Sequence, residues 1–253
     1  MAGEPEDEFP KVQGGGSLIL AWQIKGKKVL VVGGGEVAAG RILNCLDADA
    51  HVVVICPTSG LNPEVAYRVA QGQVTHIDRK FEPSDLDPDK NVNMVLTAID
   101  DPEASTTIWK LCKQRNIPAN IADVPPECDF YFGSVHRDGP LQIMVSTNGK
   151  GPRLAAAIRK KIASSLPPNA GEAIEKVGKL RGMLRKIEPG SEAVSKRMGW
   201  MIKVSDTYSW ETFCDMTEED MENLLFFYPK GEVPDLEALK SMKEHPKIEN
   251  LTI

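Results

Sequence analysis

A short apolar run that ends in three glycines and leads into a helical pattern constrains the fold of this chain more than any other feature. Lys28-Val29-Leu30-Val31-Val32 has the composition of a buried strand, Gly33-Gly34-Gly35 suits a tight turn, and residues 36–46 carry apolar side chains at helical spacing. Residues 51–55 then form a second apolar run. A strand, a helix and a strand in this order predict a compact βαβ unit.

The alternation of strand and helix patterns continues along the chain to residue 122. We expect further helices at 62–71 and 101–114, and further strands at 74–77, 93–98 and 118–122. Strands that alternate with helices favour a parallel sheet that is covered on both faces. The sequence therefore predicts an α/β fold with a Rossmann-type parallel sheet.

The pattern changes after Asp123. We expect two β-strands, at 129–135 and 141–146, separated by a turn at 136–140, and then a helix that Pro152 opens at Arg153. Residues 170–227 are mostly helical in pattern, and one short helix is expected after residue 232. The predicted organisation is a disordered leader (1–16), a Rossmann domain (17–122), a small β-containing region (123–165) and a C-terminal helical domain (166–253).

Composition excludes several classes of protein. The chain has 253 residues, 42% of them apolar, which is enough to bury a sizeable core. Its five cysteines are scattered without a CxxC pair, which argues against a zinc cage or a disulfide framework and favours a reducing, cytoplasmic location. No apolar run approaches the ~18 residues of a membrane span.

Charge is unevenly distributed. The formal net charge is −6, yet residues 150–203 hold thirteen Lys or Arg against four acidic residues. An acidic chain with one basic segment is poorly suited to general nucleic-acid binding, but the basic segment suits an anionic small molecule. Solvated helix faces are the alternative interpretation of these charges.

The first candidate site is the motif Gly33-x-Gly35-x-x-Ala38. Glycines allow the backbone to approach a pyrophosphate closely, and the following helix directs its free N–H groups towards the charge. Because the motif lies between a strand and a helix, it predicts a dinucleotide site. The second strand ends in Ile55-Cys56-Pro57-Thr58 and lacks the acid that usually holds the ribose hydroxyls, so spacing leaves the choice between NAD and NADP open.

The second candidate is Asp123, which directly follows a predicted strand. Ligands of open α/β sheets bind beyond the carboxyl ends of the strands, so Asp123 is expected on the same edge as the Gly33 loop. A carboxylate there can serve as the base that accompanies hydride transfer to a nicotinamide. A turn former before Pro125 is the alternative role.

A third candidate is the loop at 146–153, whose amides and hydroxyls precede a helix and suit an anion, with helix capping as the alternative. His136, expected in the turn at 136–140, is a further candidate for proton transfer. The sequence offers no pattern of His, Cys and acidic residues that is typical of a bound metal, so no metal ligands are predicted.

With these residues in view, the sequence resembles the siroheme synthases, a family of bifunctional precorrin-2 dehydrogenases and sirohydrochlorin ferrochelatases, and most closely their stand-alone fungal form. The resemblance covers about residues 17–165. It rests on segments that match in order and spacing, namely 18–23, 25–28, 31–38, 120–123, 128–133, 146–149 and 151–155.

The resemblance implies an NAD-dependent oxidation of precorrin-2 to sirohydrochlorin, followed by insertion of ferrous iron, as a substrate, to give siroheme. It implies one active site for both reactions and a homodimer formed through the region 123–165. A permanent metal cage is not required, because the tetrapyrrole nitrogens are the final ligands of the iron.

Roles can be carried over residue by residue. The essential aspartate of the family falls on Asp123, and a serine that is phosphorylated in some bacterial members falls on Thr147. The resemblance places the tetrapyrrole near Thr147, Asn148 and Arg153. It also implies that NAD contacts Gly33, Gly34, Gly35, Glu36, Val37, Pro57 and Thr58.

Two other functions remain open from the sequence. A regulator that senses NAD would keep the glycine loop without needing Asp123. An enzyme that is only a dehydrogenase would need both and would leave the tetrapyrrole free of metal.

Overall fold

The computed structural model describes residue 12 and residues 14–242. Their contacts divide the chain into two compact units. The first runs to Phe132 and includes Asn148–Lys150, and the second contains Gly133–Thr147 and continues from Gly151. Residues 1–11 and 13 of the predicted leader, and residues 243–253 of the predicted tail, lie outside the described residues.

The described part of the first unit is a five-stranded parallel sheet in the order β3-β2-β1-β4-β5. The strand order reverses between β1 and β4, as in doubly wound nucleotide-binding folds. Three helices connect the strands. The elements are β1 (Lys28–Val32), α1 (Glu36–Leu46), β2 (His51–Ile55), α2 (Pro63–Ala70), β3 (Thr75–Ile77), β4 (Val92–Thr97), α3 (Pro102–Gln114) and β5 (Ala119–Ile121).

Alternation along β1 builds two cores, one on each face of the sheet. Val29 and Val31 are buried with Ile42 of α1, whereas Leu30 is buried with Ile108 of α3 on the other face. Period-two alternation in a strand and period-3.6 spacing in a helix place these side chains in contact. The predicted α/β fold with a parallel sheet covered on both faces is confirmed.

Helices α2 and α3 of this unit begin at residues that favour the start of a helix. Proline occupies the first turn of α2 and α3, and the side chains of Asn62 and Asp101 accept hydrogen bonds from Val65 N and Ala104 N. Such caps are readable in sequence, and they explain why the predicted helix bounds agree with the observed ones within a residue.

The second unit combines a hairpin with helices. Strands β6 (Ser134–Asp138) and β7 (Leu141–Val145) pair antiparallel. The described helices are α4 (Pro152–Ser165), α5 (Ala170–Ile187), α6 (Val194–Thr207), α7 (Trp210–Asp215), α8 (Glu218–Leu225) and α9 (Leu236–Lys240). Their core contains fully buried apolar residues such as Leu180, Leu224 and Tyr228.

None of the helices in the described part of the chain combines the length and apolar character needed to cross a bilayer.

Two predictions in this unit are wrong. The first hairpin strand begins at Ser134 rather than residue 129, because segment 129–133 is tied to β5 through side chains: Ala119 N donates to Asp129 Oδ2, and Asn120 Nδ2 donates to Phe130 O. The predicted turn at 136–140 is also too long. Only Gly139 and the following proline lie between the last paired residues, so His136 is in a strand and not in a turn.

Candidate dinucleotide-binding site

The glycine loop lies at the carboxyl end of β1, at the switch point of the sheet. Gly33 has φ +115°, a conformation that side chains rarely adopt. A Cβ at this position would lie 2.1 Å from Ala98 O, and the carbonyl cannot retreat freely because Ala98 N donates to Val32 O. Glycine is therefore required at residue 33 by the fold itself.

Gly35 differs from Gly33 because nothing in the structure requires it. Its φ is −78°, and a Cβ there would meet no atom within 4 Å. Gly35 is the N-cap of α1, and no side chain among the described residues caps this helix end. Open space above uncapped N–H groups is what a pyrophosphate needs, so the residues present fit a dinucleotide.

The other residues expected at the cofactor flank this loop. Glu36 and Val37 form the exposed first turn of α1, and Val37 is 53% exposed. Pro57 and Thr58 follow β2, and their loop packs on the glycine loop, since Asn62 N donates to Gly34 O over 2.8 Å. The structure brings all the predicted cofactor residues together at one edge of the sheet.

Asp123 lies on the same edge. It follows β5 with φ +60°, a conformation that Asp and Asn adopt more readily than most residues. The register pairs Val32 with Thr97 and Thr97 with Ile121, so the ends of β1, β4 and β5 are level. With neighbouring strands ~4.8 Å apart, the start of the glycine loop and Asp123 are separated by two strand spacings, or ~10 Å. The carboxylate is exposed.

A guanidinium that sequence analysis missed lies close enough to Asp123 for their charges to interact. Arg41 donates to Thr97 O at 2.9 Å and lies over the ring of Phe132, 5.8 Å from its centroid. Burial lowers the pKa of Arg41, while the negative charge of Asp123 opposes that change. Arginine nevertheless stays protonated in proteins, so a permanent positive charge acts on the Asp123 carboxylate.

A sequence signal for Arg41 did exist. The buried residues of α1 include Ala38, Ile42 and Cys45, and Arg41 lies between them at a spacing of three from Ala38. A charged residue on the apolar face of a helix is uncommon unless it has partners. Those partners are main-chain carbonyls of β4 and β5, whose positions no sequence pattern reveals.

The predicted tetrapyrrole residues divide between the two units. Thr147 Oγ1 accepts a hydrogen bond from Gly151 N at 3.1 Å, which makes it part of the start of α4. Asn148 belongs to the first unit, where it contacts Ser17 Oγ at 2.6 Å and Gly15 O at 2.9 Å. Arg153 is exposed in the first turn of α4.

No metal site is evident in the part of the chain that the structure describes: its His, Cys, Asp and Glu side chains form no group of three or more suited to a metal ion. All five cysteines are free thiols.

The fold, the glycine loop at the switch point and the open N-terminus of α1 define a Rossmann-type NAD(P)-binding protein. Comparison with known families agrees, because a family described as NAD(P)-binding matches residues 20–134. Two families described as sirohaem biosynthesis protein, central and C-terminal, match residues 138–165 and 167–234.

Individual relatives narrow the class to one family. A siroheme biosynthesis protein of Schizosaccharomyces pombe is 58% identical over 223 residues, which cover 88% of this chain and 84% of that protein. A siroheme biosynthesis protein of Saccharomyces cerevisiae is 30% identical over 228 residues, which cover 76% of this chain and 83% of that protein. The chain belongs to the siroheme biosynthesis family.

Two further matches show how much of this chain is similar to other proteins in sequence and in fold. The siroheme synthase of Methylobacillus flagellatus is 34% identical over 155 residues, and the chain spans only 32% of its length. Among solved structures, SirC, a precorrin-2 dehydrogenase, superposes with a TM-score of 0.64 over 85% of this chain and 100% of that chain, at 21% identity. This last likeness concerns the fold.

Proposed function

We propose that the protein oxidises precorrin-2 to sirohydrochlorin with NAD and then inserts ferrous iron, with Asp123 serving both reactions. The observation that carries the proposal is the position of the Asp123 carboxylate, two strands from a glycine loop that fits a dinucleotide. The solved relative SirC is named a precorrin-2 dehydrogenase, and the fungal relatives are named siroheme biosynthesis proteins.

The oxidation removes two electrons and two hydrogens from the tetrapyrrole. Bound NAD supplies the hydride acceptor. The second hydrogen leaves as a proton, and Asp123 accepts it on a carboxylate oxygen. Arg41 supplies a permanent positive charge close to this carboxylate. In the second reaction, ferrous iron replaces two pyrrole N–H protons. Asp123, after returning its first proton to solvent, accepts one of them, and solvent water accepts the other.

The substrate carries several carboxylates, and helix α4 carries basic residues of the kind that bind them. Four basic residues lie along α4, namely Arg153, Arg159, Lys160 and Lys161. The guanidinium groups of the two arginines suit bidentate contact with a carboxylate. We assign substrate contacts to Arg153, Thr147 and Asn148 as part of the same proposal.

We also propose that the protein acts as a homodimer through the region 123–165. The hairpin in this region has only two strands, β6 and β7, within the described residues, so each strand keeps one edge without a partner strand. An open strand edge favours pairing with another copy. Light scattering of the purified protein measures the mass; a monomer at micromolar concentration would contradict the dimer.

The test of the enzymatic proposal uses purified protein, precorrin-2 and NAD. Nicotinamide absorbance reports oxidation, and the tetrapyrrole spectrum reports metal uptake after ferrous ion is added. Asp123→Asn is the informative variant, because Asn adopts φ +60° readily and keeps the turn, while it removes the base. Asp100→Asn is the matched control, since it removes an exposed carboxylate three residues after the end of β4.

The outcomes separate the candidate functions. We expect the wild type and Asp100→Asn to reduce NAD and take up iron, and Asp123→Asn to bind NAD but lose both reactions by ~100-fold or more. Oxidation without iron uptake by the wild type would leave a dehydrogenase only. If the wild type binds NAD but oxidises no tetrapyrrole, the result favours a regulator that senses NAD. If Asp123→Asn keeps full activity, Asp123 has no catalytic role and only forms the turn.

A further inference from the structure

The loop after β2 contains no acidic residue that could bind the adenosine ribose of a dinucleotide. Rossmann proteins commonly hold the adenosine ribose with an acid at the end of the second strand, and this position reads Cys56-Pro57-Thr58. The structure brings a carboxylate to the same place from the neighbouring strand. Asp78 directly follows β3, which pairs with β2 through Ile55 and Ile77.

The Asp78 carboxylate is fixed against the loop after β2. Thr58 N donates to Asp78 Oδ1 over 2.6 Å, and the Thr58 side chain also hydrogen-bonds to the carboxylate. These bonds, with that of the Thr58 side chain the largest influence, lower the pKa of Asp78. The group is therefore ionised at neutral pH, and a carboxylate with about four lone-pair positions keeps capacity for further donors.

The Thr58–Asp78 pair flanks the glycine loop. A Cβ on Gly34 would lie 2.8 Å from Gly60 O and 2.9 Å from Cys56 Sγ, so the loop that carries Thr58 packs directly against the pyrophosphate loop. An extended dinucleotide whose pyrophosphate lies above Gly35 places its adenosine ribose beside the end of the second strand. Asp78 is exposed there.

The arginine next to Asp78 in sequence, Arg79, forms an ion pair with another carboxylate. Arg79 donates from Nη2 to Asp85 Oδ1 at 2.6 Å and from Nη1 to Asp85 Oδ2 at 2.8 Å, a bidentate pair with a carboxylate that is 7% exposed. Proteins that prefer NADP usually offer an arginine to the 2′-phosphate. Here a 2′-phosphate would instead meet the negative charge of Asp78, with exposed Lys80 as the nearest other cation in sequence.

We propose that Asp78 is the specificity-determining residue of the cofactor site: it accepts hydrogen bonds from the adenosine ribose hydroxyls and repels a 2′-phosphate, so that the protein selects NAD over NADP. This inference rests on the dinucleotide-binding part of the proposed function. It does not depend on which tetrapyrrole is oxidised.

Calorimetric titration of the full-length protein with NAD and with NADP, without tetrapyrrole, tests the assignment. We expect the wild type to bind NAD at least ~10-fold more tightly than NADP, because a 2′-phosphate removes a donor hydroxyl and brings a second negative charge to Asp78. Asp78→Asn keeps an oxygen for Thr58 N and removes the charge. It should weaken NAD, strengthen NADP and bring the affinity ratio towards one.

Asp49→Asn is the matched control. Asp49 is an exposed carboxylate that pairs with Lys25 at 3.2 Å and precedes β2, at the opposite edge of the sheet. It should leave both affinities unchanged. An unchanged ratio in Asp78→Asn, or equal binding of both dinucleotides by the wild type, would overturn the assignment and leave the proposed oxidation intact. If the wild type bound neither dinucleotide, the proposed function itself would fail.

Discussion

Three glycines of the first βα unit are expected to respond differently to the same substitution. Gly33→Ala places a methyl group 2.1 Å from Ala98 O at φ +115°. Gly35→Ala places one in open space at φ −78°, above the N-terminus of α1. Gly40→Ala is the control, because Gly40 lies inside α1 and its Cβ also meets nothing within 4 Å.

The expected changes in the free energy of unfolding follow from these geometries. Gly33→Ala combines an unfavourable φ, ~1–3 kcal/mol, with overpacking against a held carbonyl, ~1–3 kcal/mol. A loss of ~2–6 kcal/mol is a large part of a typical total of ~5–15 kcal/mol. Gly35→Ala loses only an N-cap preference of ~0.5–1 kcal/mol. Gly40→Ala gains ~0.5–1 kcal/mol of helix propensity.

Affinity for NAD should follow a different order. A methyl group on residue 35 occupies the space assigned to the pyrophosphate, so Gly35→Ala should weaken NAD by at least ~10-fold, or ~1.4 kcal/mol. Gly40→Ala should bind NAD as the wild type does. Denaturant unfolding and calorimetric titration measure the two quantities. Wild-type NAD affinity in Gly35→Ala would refute the placement of the pyrophosphate, and wild-type stability in Gly33→Ala would refute the steric argument.

Three further perturbations are expected to have defined effects. Burial opposes ionisation of Asp85, but the hydrogen bonds from Arg79 and from a backbone N–H lower the pKa of Asp85 overall. The ionised Asp85 therefore stabilises the folded protein fully above a pH of ~4, and this contribution is lost as pH falls through the folded-state pKa. The free energy of unfolding of Asp85→Asn, measured in acid, should depend less steeply on pH than that of the wild type. Leu180→Ala opens a cavity in the fully buried helical core and should lower the free energy of unfolding by ~2–5 kcal/mol without changing NAD affinity, as urea unfolding and titration will show. Arg41→Lys keeps a charge near Asp123 but loses the planar contact with the strand carbonyls; turnover should fall while NAD affinity is kept, and wild-type turnover would contradict a role for the guanidinium.

The fold was largely predictable because its signals are local. The apolar run of β1, the glycines and the caps at Asn62 and Asp101 each act over a few residues, and the structure confirms the elements they predict. Segment 129–133 is the exception. It is apolar enough for a strand, but Asn120 and Asp129 tie it to β5 by side-chain bonds, and such bonds between distant residues leave no periodic pattern.

The sequence by itself determined the dinucleotide loop, the parallel α/β sheet and the candidate carboxylate Asp123, because backbone conformation and strand order follow from local residue types and short connections. Only the tertiary structure decided which groups surround that site. Arg41 reaches carbonyls 56 and 79 residues away, and Asp78 reaches Thr58 across 20 residues, through strand register. Register brings distant residues together at one edge of a sheet, so the charges that meet there leave no local pattern in the sequence.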